Sequence, residues 1–175
     1  MKQTILVIAA NPQGTTSLRL DRELRVINDV MQKSRLRDRF DIQPLWATRT
    51  IDLLPALLKY KPRIVHFCGH GEGQVGLVLE DEAGTAKLVS SEALAGVFVE
   101  LAAEVECVLL NACYSEDQAQ TIVQYINYAI GMSREIRDDA AIAFTRGFYT
   151  ALGNGEAIKN AYNFGKSQVD RKSVV

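Results

Sequence analysis

Short apolar runs alternate with stretches of helical periodicity along the whole chain. Ile5-Leu6-Val7-Ile8-Ala9 is apolar at every position, the signature of a strand buried on both faces, and Asn11-Pro12-Gln13-Gly14 turns the chain after it. Leu20, Leu24, Ile27 and Met31 then recur at helical spacing. Phe40-Asp41-Ile42-Gln43-Pro44-Leu45 alternates, and Pro44 predicts an edge strand because proline donates no ladder hydrogen bond. Asp52 is placed to cap the next helix, with Pro55 in the first turn, where its missing donor is tolerated. Arg63-Ile64-Val65-His66-Phe67-Cys68 is a third strand, ended by Gly69.

The second half continues the alternation. Gly76-Leu77-Val78-Leu79-Glu80 and Ala86-Lys87-Leu88-Val89 flank a turn at Asp81-Glu82-Ala83-Gly84-Thr85 and read as a small hairpin. Ser90 or Ser91 opens a helix carrying Leu94, Val97, Phe98 and Leu101 inward. Val105-Glu106-Cys107-Val108-Leu109-Leu110 is a fourth core strand, a helix follows from near Asp117, and Ile126-Asn127-Tyr128-Ala129-Ile130 is a fifth strand. Two helices complete the chain. The first presents Ala141, Phe144, Phe148 and Leu152 and stops at Gly153; the second presents Ile158, Ala161, Tyr162, Gly165 and Val169.

This β-α-β-α order predicts an α/β fold, with a mostly parallel central sheet flanked by helices on both faces and joined by right-handed crossovers. No repeat, low-complexity tract or linker interrupts it, so residues 1–175 read as a single domain large enough to bury a core without staples. In such sheets ligands bind beyond the carboxyl ends of the strands, which confines the search for chemistry to a few loops.

Composition narrows the function classes. Apolar residues make up 47% of the chain, and 20 Lys plus Arg balance 21 Asp plus Glu, which leaves no electrostatic footprint for nucleic acid or an anionic membrane. The basic run Arg19, Arg22, Arg25, Lys33, Arg35, Arg37, Arg39 is interleaved with Asp21, Glu23, Asp29 and Asp38 and reads as a solvated helix face. Three cysteines without a framework fit a reducing compartment. The amino-terminal apolar run is too short to span a membrane and has no cleavage pattern after it, so a cytoplasmic protein is expected.

Two strand-end loops hold reactive side chains. The third strand runs into Cys68-Gly69-His70-Gly71-Glu72-Gly73 and the fourth into Asn111-Ala112-Cys113-Tyr114-Ser115. If these strands are neighbours, about 4.8 Å apart, His70 and Cys113 project from one rim. An ordinary thiol, with a pKa of about 8.5, is mostly protonated at neutral pH. An adjacent imidazole can take that proton and return one to a leaving amine, while the backbone amides of Gly71 and Cys113 are candidates for an oxyanion hole. A helix starting soon after Cys113 favours the thiolate through its positive end. Spacing alone leaves this dyad open against a plainer reading, with His70 a loop histidine and Cys113 an inert buried thiol. His66 lies within its strand and reads as a packed core residue.

Two other constellations are weaker. His66-x-Cys68-x-His70 with Cys113 offers zinc ligands, but period-two ligands from one strand rarely converge tetrahedrally and the chain has no CxxC pair. Asn11-Pro12-Gln13-Gly14-Thr15-Thr16-Ser17 precedes a helix, where phosphate can bind, yet lacks the P-loop lysine and the GxGxxG spacing and reads as a plain turn.

The paired loops resemble a known pair. His66-Phe67-Cys68-Gly69-His70-Gly71 is similar to the His-Gly motif of caspase-like (clan CD) cysteine peptidases, and Leu109-Leu110-Asn111-Ala112-Cys113-Tyr114-Ser115 to their Ala-Cys nucleophile motif. Within that group the chain most resembles the CHAT domain, over nearly its whole length. The resemblance implies a caspase/haemoglobinase-like fold and cysteine endopeptidase chemistry on protein or peptide substrates, with no metal or organic cofactor. It assigns His70 as general base and acid, Cys113 as nucleophile and the Gly71 amide as oxyanion donor. It maps the pocket for the residue before the scissile bond to Met132, Ser133 and Arg134, with Glu116 and Asp117 from the loop after the nucleophile. These residues agree on no charge preference, and Asn111 stands where caspases carry Gln, so strict cleavage after Asp is not expected. The resemblance also implies a longer natural chain, with regulatory domains or partner proteins. The rival class is a non-catalytic signalling and interaction module that keeps the fold.

Overall fold

The computed structural model describes residues 2–172 of the chain. Its elements run β1 (Gln3–Ala9), α1 (Leu20–Gln32), β2 (Phe40–Leu45), α2 (Thr50–Tyr60), β3 (Ile64–Cys68), β4 (His70–Gly71), β5 (Leu77–Glu80), β6 (Ala86–Val89), α3 (Ser91–Val99), β7 (Cys107–Asn111), α4 (Glu116–Ile122), β8 (Tyr128–Ile130), α5 (Asp138–Gly153) and α6 (Ile158–Lys172). The chain folds into two compact units. One holds most of the sheet with α2, α3 and α4, and the other gathers α1, α5 and α6.

The five-stranded sheet has the order β2-β1-β3-β7-β8. β1 with β3, β3 with β7 and β7 with β8 are parallel. Pro44 lies in β2, at the sheet edge, as its missing N–H requires. Side chains of alternate residues on the central strands, Leu6, Ile8, Val65, Phe67, Val108 and Leu110, pack with Leu53 and Leu57 of α2, Leu94 and Phe98 of α3 and Ile122 of α4. The intervening Ile5, Val7, Ile64, His66, Cys107 and Leu109 are equally inaccessible, so both faces are closed to water. That explains why these strands read as unbroken apolar runs rather than alternating ones.

In the helical unit, α5 and α6 meet through small residues. A Cβ at Gly165 would press on the Phe144 ring at 2.9 Å, and one at Gly147 would stand 2.6 Å from the Phe164 carbonyl oxygen. Phe144 has Phe148 and Tyr162 as ring neighbours, each 6.0 Å away between centroids. Buried Glu23 of α1 accepts the Thr145 hydroxyl of α5 at 2.7 Å.

Several local expectations shift. α2 begins at Thr50, so Asp52 occupies the third helical position, where its carboxylate accepts the Arg49 backbone N–H at 3.2 Å; it is the reciprocal half of a capping box rather than the cap itself. Pro55 consequently sits in the second turn. The fifth strand is short because Ile126 N–H still donates to the Ile122 carbonyl, at 3.4 Å, leaving only Tyr128–Ile130 to pair. The predicted hairpin forms between β5 and β6 but gains a third strand: His70 pairs with Val78 and Gly71 with Leu77, a separate antiparallel sheet that sequence periodicity cannot announce over two residues.

Candidate active site

The strand pairing decides whether the two loops can meet. β3 and β7 are adjacent, and their register sets Cys68 opposite Asn111. His70 and Cys113 each stand two residues beyond that last pair, so equal lengths of chain carry them past the same rim. Beyond the rim, Gly71 lies directly on the nucleophile loop. A Cβ there would clash with the Cys113 carbonyl oxygen and stand 3.2 Å from the Ala112 Cβ. Only glycine permits this approach, whatever its backbone angles.

His70 is half-buried. Its Nε2 is buried and has no hydrogen-bond partner among the described residues. An orphaned ring nitrogen normally costs stability, which makes this imidazole a candidate for a role other than packing. Cys113 is likewise partly accessible, whereas Cys68 and Cys107 are buried. Cys68 turns its sulfur to the Ile8 carbonyl at 3.6 Å. Burial pushes the Cys107 thiol up to about 12, aided by the Glu106 charge and opposed by Arg63, so it holds no thiolate at neutral pH. His66 is fully buried in mid-strand, the packed position expected of it.

The segment after β8 runs alongside the one after Cys113. Tyr114 N–H donates to the Arg134 carbonyl at 3.3 Å and Glu116 N–H to the Met132 carbonyl at 3.2 Å. In return, Met132 N–H donates to the Ser115 hydroxyl at 3.0 Å. Met132, Ser133 and Arg134 are thereby brought to one strip with Glu116 and Asp117. Ser133, Arg134 and Glu116 are exposed, and Met132 and Asp117 half-buried. Tyr114 holds φ +54°, a left-handed conformation costing about 1–3 kcal/mol for such a residue. The strain falls immediately after the candidate nucleophile.

Sequence reasoning missed Ser115, the knot of this arrangement. It is fully buried, and its hydroxyl shares one proton between the carbonyls of Leu110 at 2.9 Å and Ala112 at 2.8 Å while accepting from Met132. Gly131, at the start of the segment mapped to the pocket, packs on the same residue, since a Cβ there would strike the Ser115 carbonyl oxygen. A serine two residues past a nucleophile reads as a helix cap in sequence, and nothing local shows that its hydroxyl faces backward. The expected support of the thiolate by a helix is limited: α4 has seven residues, and Glu116 and Asp117 already occupy its first turn.

A parallel central sheet flanked by helices in this order is a caspase-like fold. The crystal structure of the Drosophila initiator caspase Dronc matches it at TM-score 0.58, covering 95% of this chain and 72% of that one at 10% identity. Residues 7–169 match the CHAT domain, and the chain belongs to that family. Two relatives are a Roc-COR-CHAT protease from an unknown prokaryotic organism, 28% identical over 96% of this chain, and a probable protease of Gillisia limnaea, 27% identical over 86%. The chain spans only 16% and 27% of their respective lengths.

Proposed function

We propose that this chain is a caspase-like cysteine endopeptidase module that hydrolyses amide bonds of protein substrates through His70 and Cys113. The single observation carrying the reading is the backbone contact of Gly71 with Cys113 just beyond the paired strand ends, next in sequence to His70 with its unpartnered Nε2. His70 takes the Cys113 proton, and the thiolate attacks the scissile carbonyl. The amides of Gly71 and Cys113 receive the oxyanion, and His70 protonates the departing amine. Water, deprotonated by the same imidazole, then releases the acyl group from sulfur. Met132, Ser133, Arg134, Glu116 and Asp117 line the approach of the residue before the scissile bond. The protease names of the two relatives support this chemistry. Their greater length supports regulation by attached domains or partner proteins. The reduced thiols suit a cytoplasmic setting, and no helix of the described residues is long and apolar enough to cross a membrane.

The reading is tested by alkylation with iodoacetamide between pH 5 and 9, each cysteine followed by mass spectrometry. An ordinary thiol is only about 3% ionised at pH 7, so activation by His70 should speed Cys113 labelling about tenfold over the rate in His70→Ala. Cys68 and Cys107 should stay unlabelled until unfolding. Labelling of Cys113 that is slow and indifferent to His70→Ala would reject the dyad and leave an interaction module.

A further inference from the structure

We infer that Gln118 is a positioning residue of this site: its amide reaches from α4, behind the nucleophile, to hold the turn that follows His70–Gly71. The inference rests on the peptidase reading and adds to it the device that fixes the spacing of the two loops. Gln118 is fully buried, and its Nε2 donates to the Gly73 carbonyl at 2.6 Å. Gly73 begins a single 3-10 turn, Gly73–Val75, held together by Val75 N–H to the Glu72 carbonyl at 3.1 Å and closed by Glu72 N–H to the Gly76 carbonyl at 3.0 Å. The turn is thus closed by its own hydrogen bonds, and the Gln118 bond ties it to α4. It starts two residues after Gly71, whose contact with Cys113 defines the site. A Cβ at Gly73 would stand 3.7 Å from the Tyr114 Cβ, so the same turn also borders the residue after the nucleophile.

The chemistry of the side chain separates positioning from packing. Gln118 Oε1 is buried without a hydrogen-bond partner among the described residues. An orphaned carbonyl oxygen lowers stability, and methionine would fill similar space on the same helix without that penalty. A glutamine here gives up stability for one directed donor, a trade expected where geometry matters more than packing. The donor also matters by type. A carboxylate in its place cannot donate to Gly73, whereas a protonated carboxyl can.

Gln118→Met and Gln118→Glu test this in the full chain by amide hydrogen exchange and by the Cys113 iodoacetamide profile. In Gln118→Met, the Glu72 and Val75 amides should exchange at least tenfold faster, the melting temperature should hold or rise, and Cys113 labelling should fall toward that of His70→Ala. In Gln118→Glu, protection of the turn should return as pH is lowered and the buried carboxyl protonates, a response that wild type lacks. Unchanged exchange at Glu72 and Val75 overturns the inference, as does lost protection with an unaltered Cys113 profile. If His70→Ala leaves Cys113 unchanged, the peptidase reading fails and the positioning role falls with it. If His70→Ala slows Cys113 and Gln118→Met does not, the positioning role alone is lost.

Discussion

Gly71 shows how much can rest on the absence of one carbon. Its backbone lies against the Cys113 carbonyl so closely that any Cβ must displace one loop from the other. Gly71→Ala should destabilise the protein by about 1–3 kcal/mol, the usual cost of overpacking a site that cannot yield. It should also slow Cys113 alkylation several-fold; urea denaturation and iodoacetamide labelling on the same preparation measure the two effects. An alanine variant with native reactivity would show that the contact is incidental to the chemistry. His70, Gly71 and Cys113 stood out as candidates in the sequence because they follow strand ends beside small residues that leave access. Ser115 and Gln118 did not, because a hydroxyl or an amide gains its meaning only from the partner it faces.

Among the elements, α2 illustrates how a correct helix can have a misplaced start. The carboxylate of Asp52 accepts both the Arg49 backbone N–H and its guanidinium, and the hydrogen bond from that guanidinium holds its carboxyl below the usual carboxylate range. A lowered carboxyl contributes stability above its unfolded pKa, about 3.9, and loses it as pH falls through the lower folded value. Both side chains remain partly exposed, so water weakens the effect. Melting temperatures measured from pH 5 to pH 2 should fall slightly more for wild type than for Asp52→Asn, and parallel curves would exclude the contribution. The third position of a capping box and a cap look alike in sequence, since each needs only an acidic residue near a helix start. The two-residue β4 lies beyond any periodicity, as a period needs more positions than two to repeat.

At the scale of the whole molecule, the site depends on the core that fixes neighbouring strands. Phe98 is almost fully buried in the cluster joining α3 to the sheet residues Ile8, Phe67 and Leu110. Phe98→Ala should cost about 3–5 kcal/mol through lost burial and the cavity it leaves. Urea denaturation should show a lower midpoint, and a change below about 1 kcal/mol would mean that this side chain does not hold the core as its burial implies. β7 packs on the same cluster, which extends to Ala112 beside Cys113 and to Leu77, the strand partner of Gly71, so the core reaches the two candidate loops directly.

By itself, the sequence determined the order of the main strands and helices, the edge position of β2 and the two strand-end segments that hold the candidate residues His70 and Cys113. Those properties are local: they follow from apolar periodicity, from proline's missing donor and from the reactivity of particular side chains. Only the tertiary structure decided that β3 lies beside β7 in the register Cys68 to Asn111, that Gly71 rests on the Cys113 backbone and that Ser115 binds the strip carrying Met132. Each of these joins residues distant in the chain. Their closeness is set by strand pairing and packing, in which a shift of one residue would put a different pair of residues opposite each other at the strand ends.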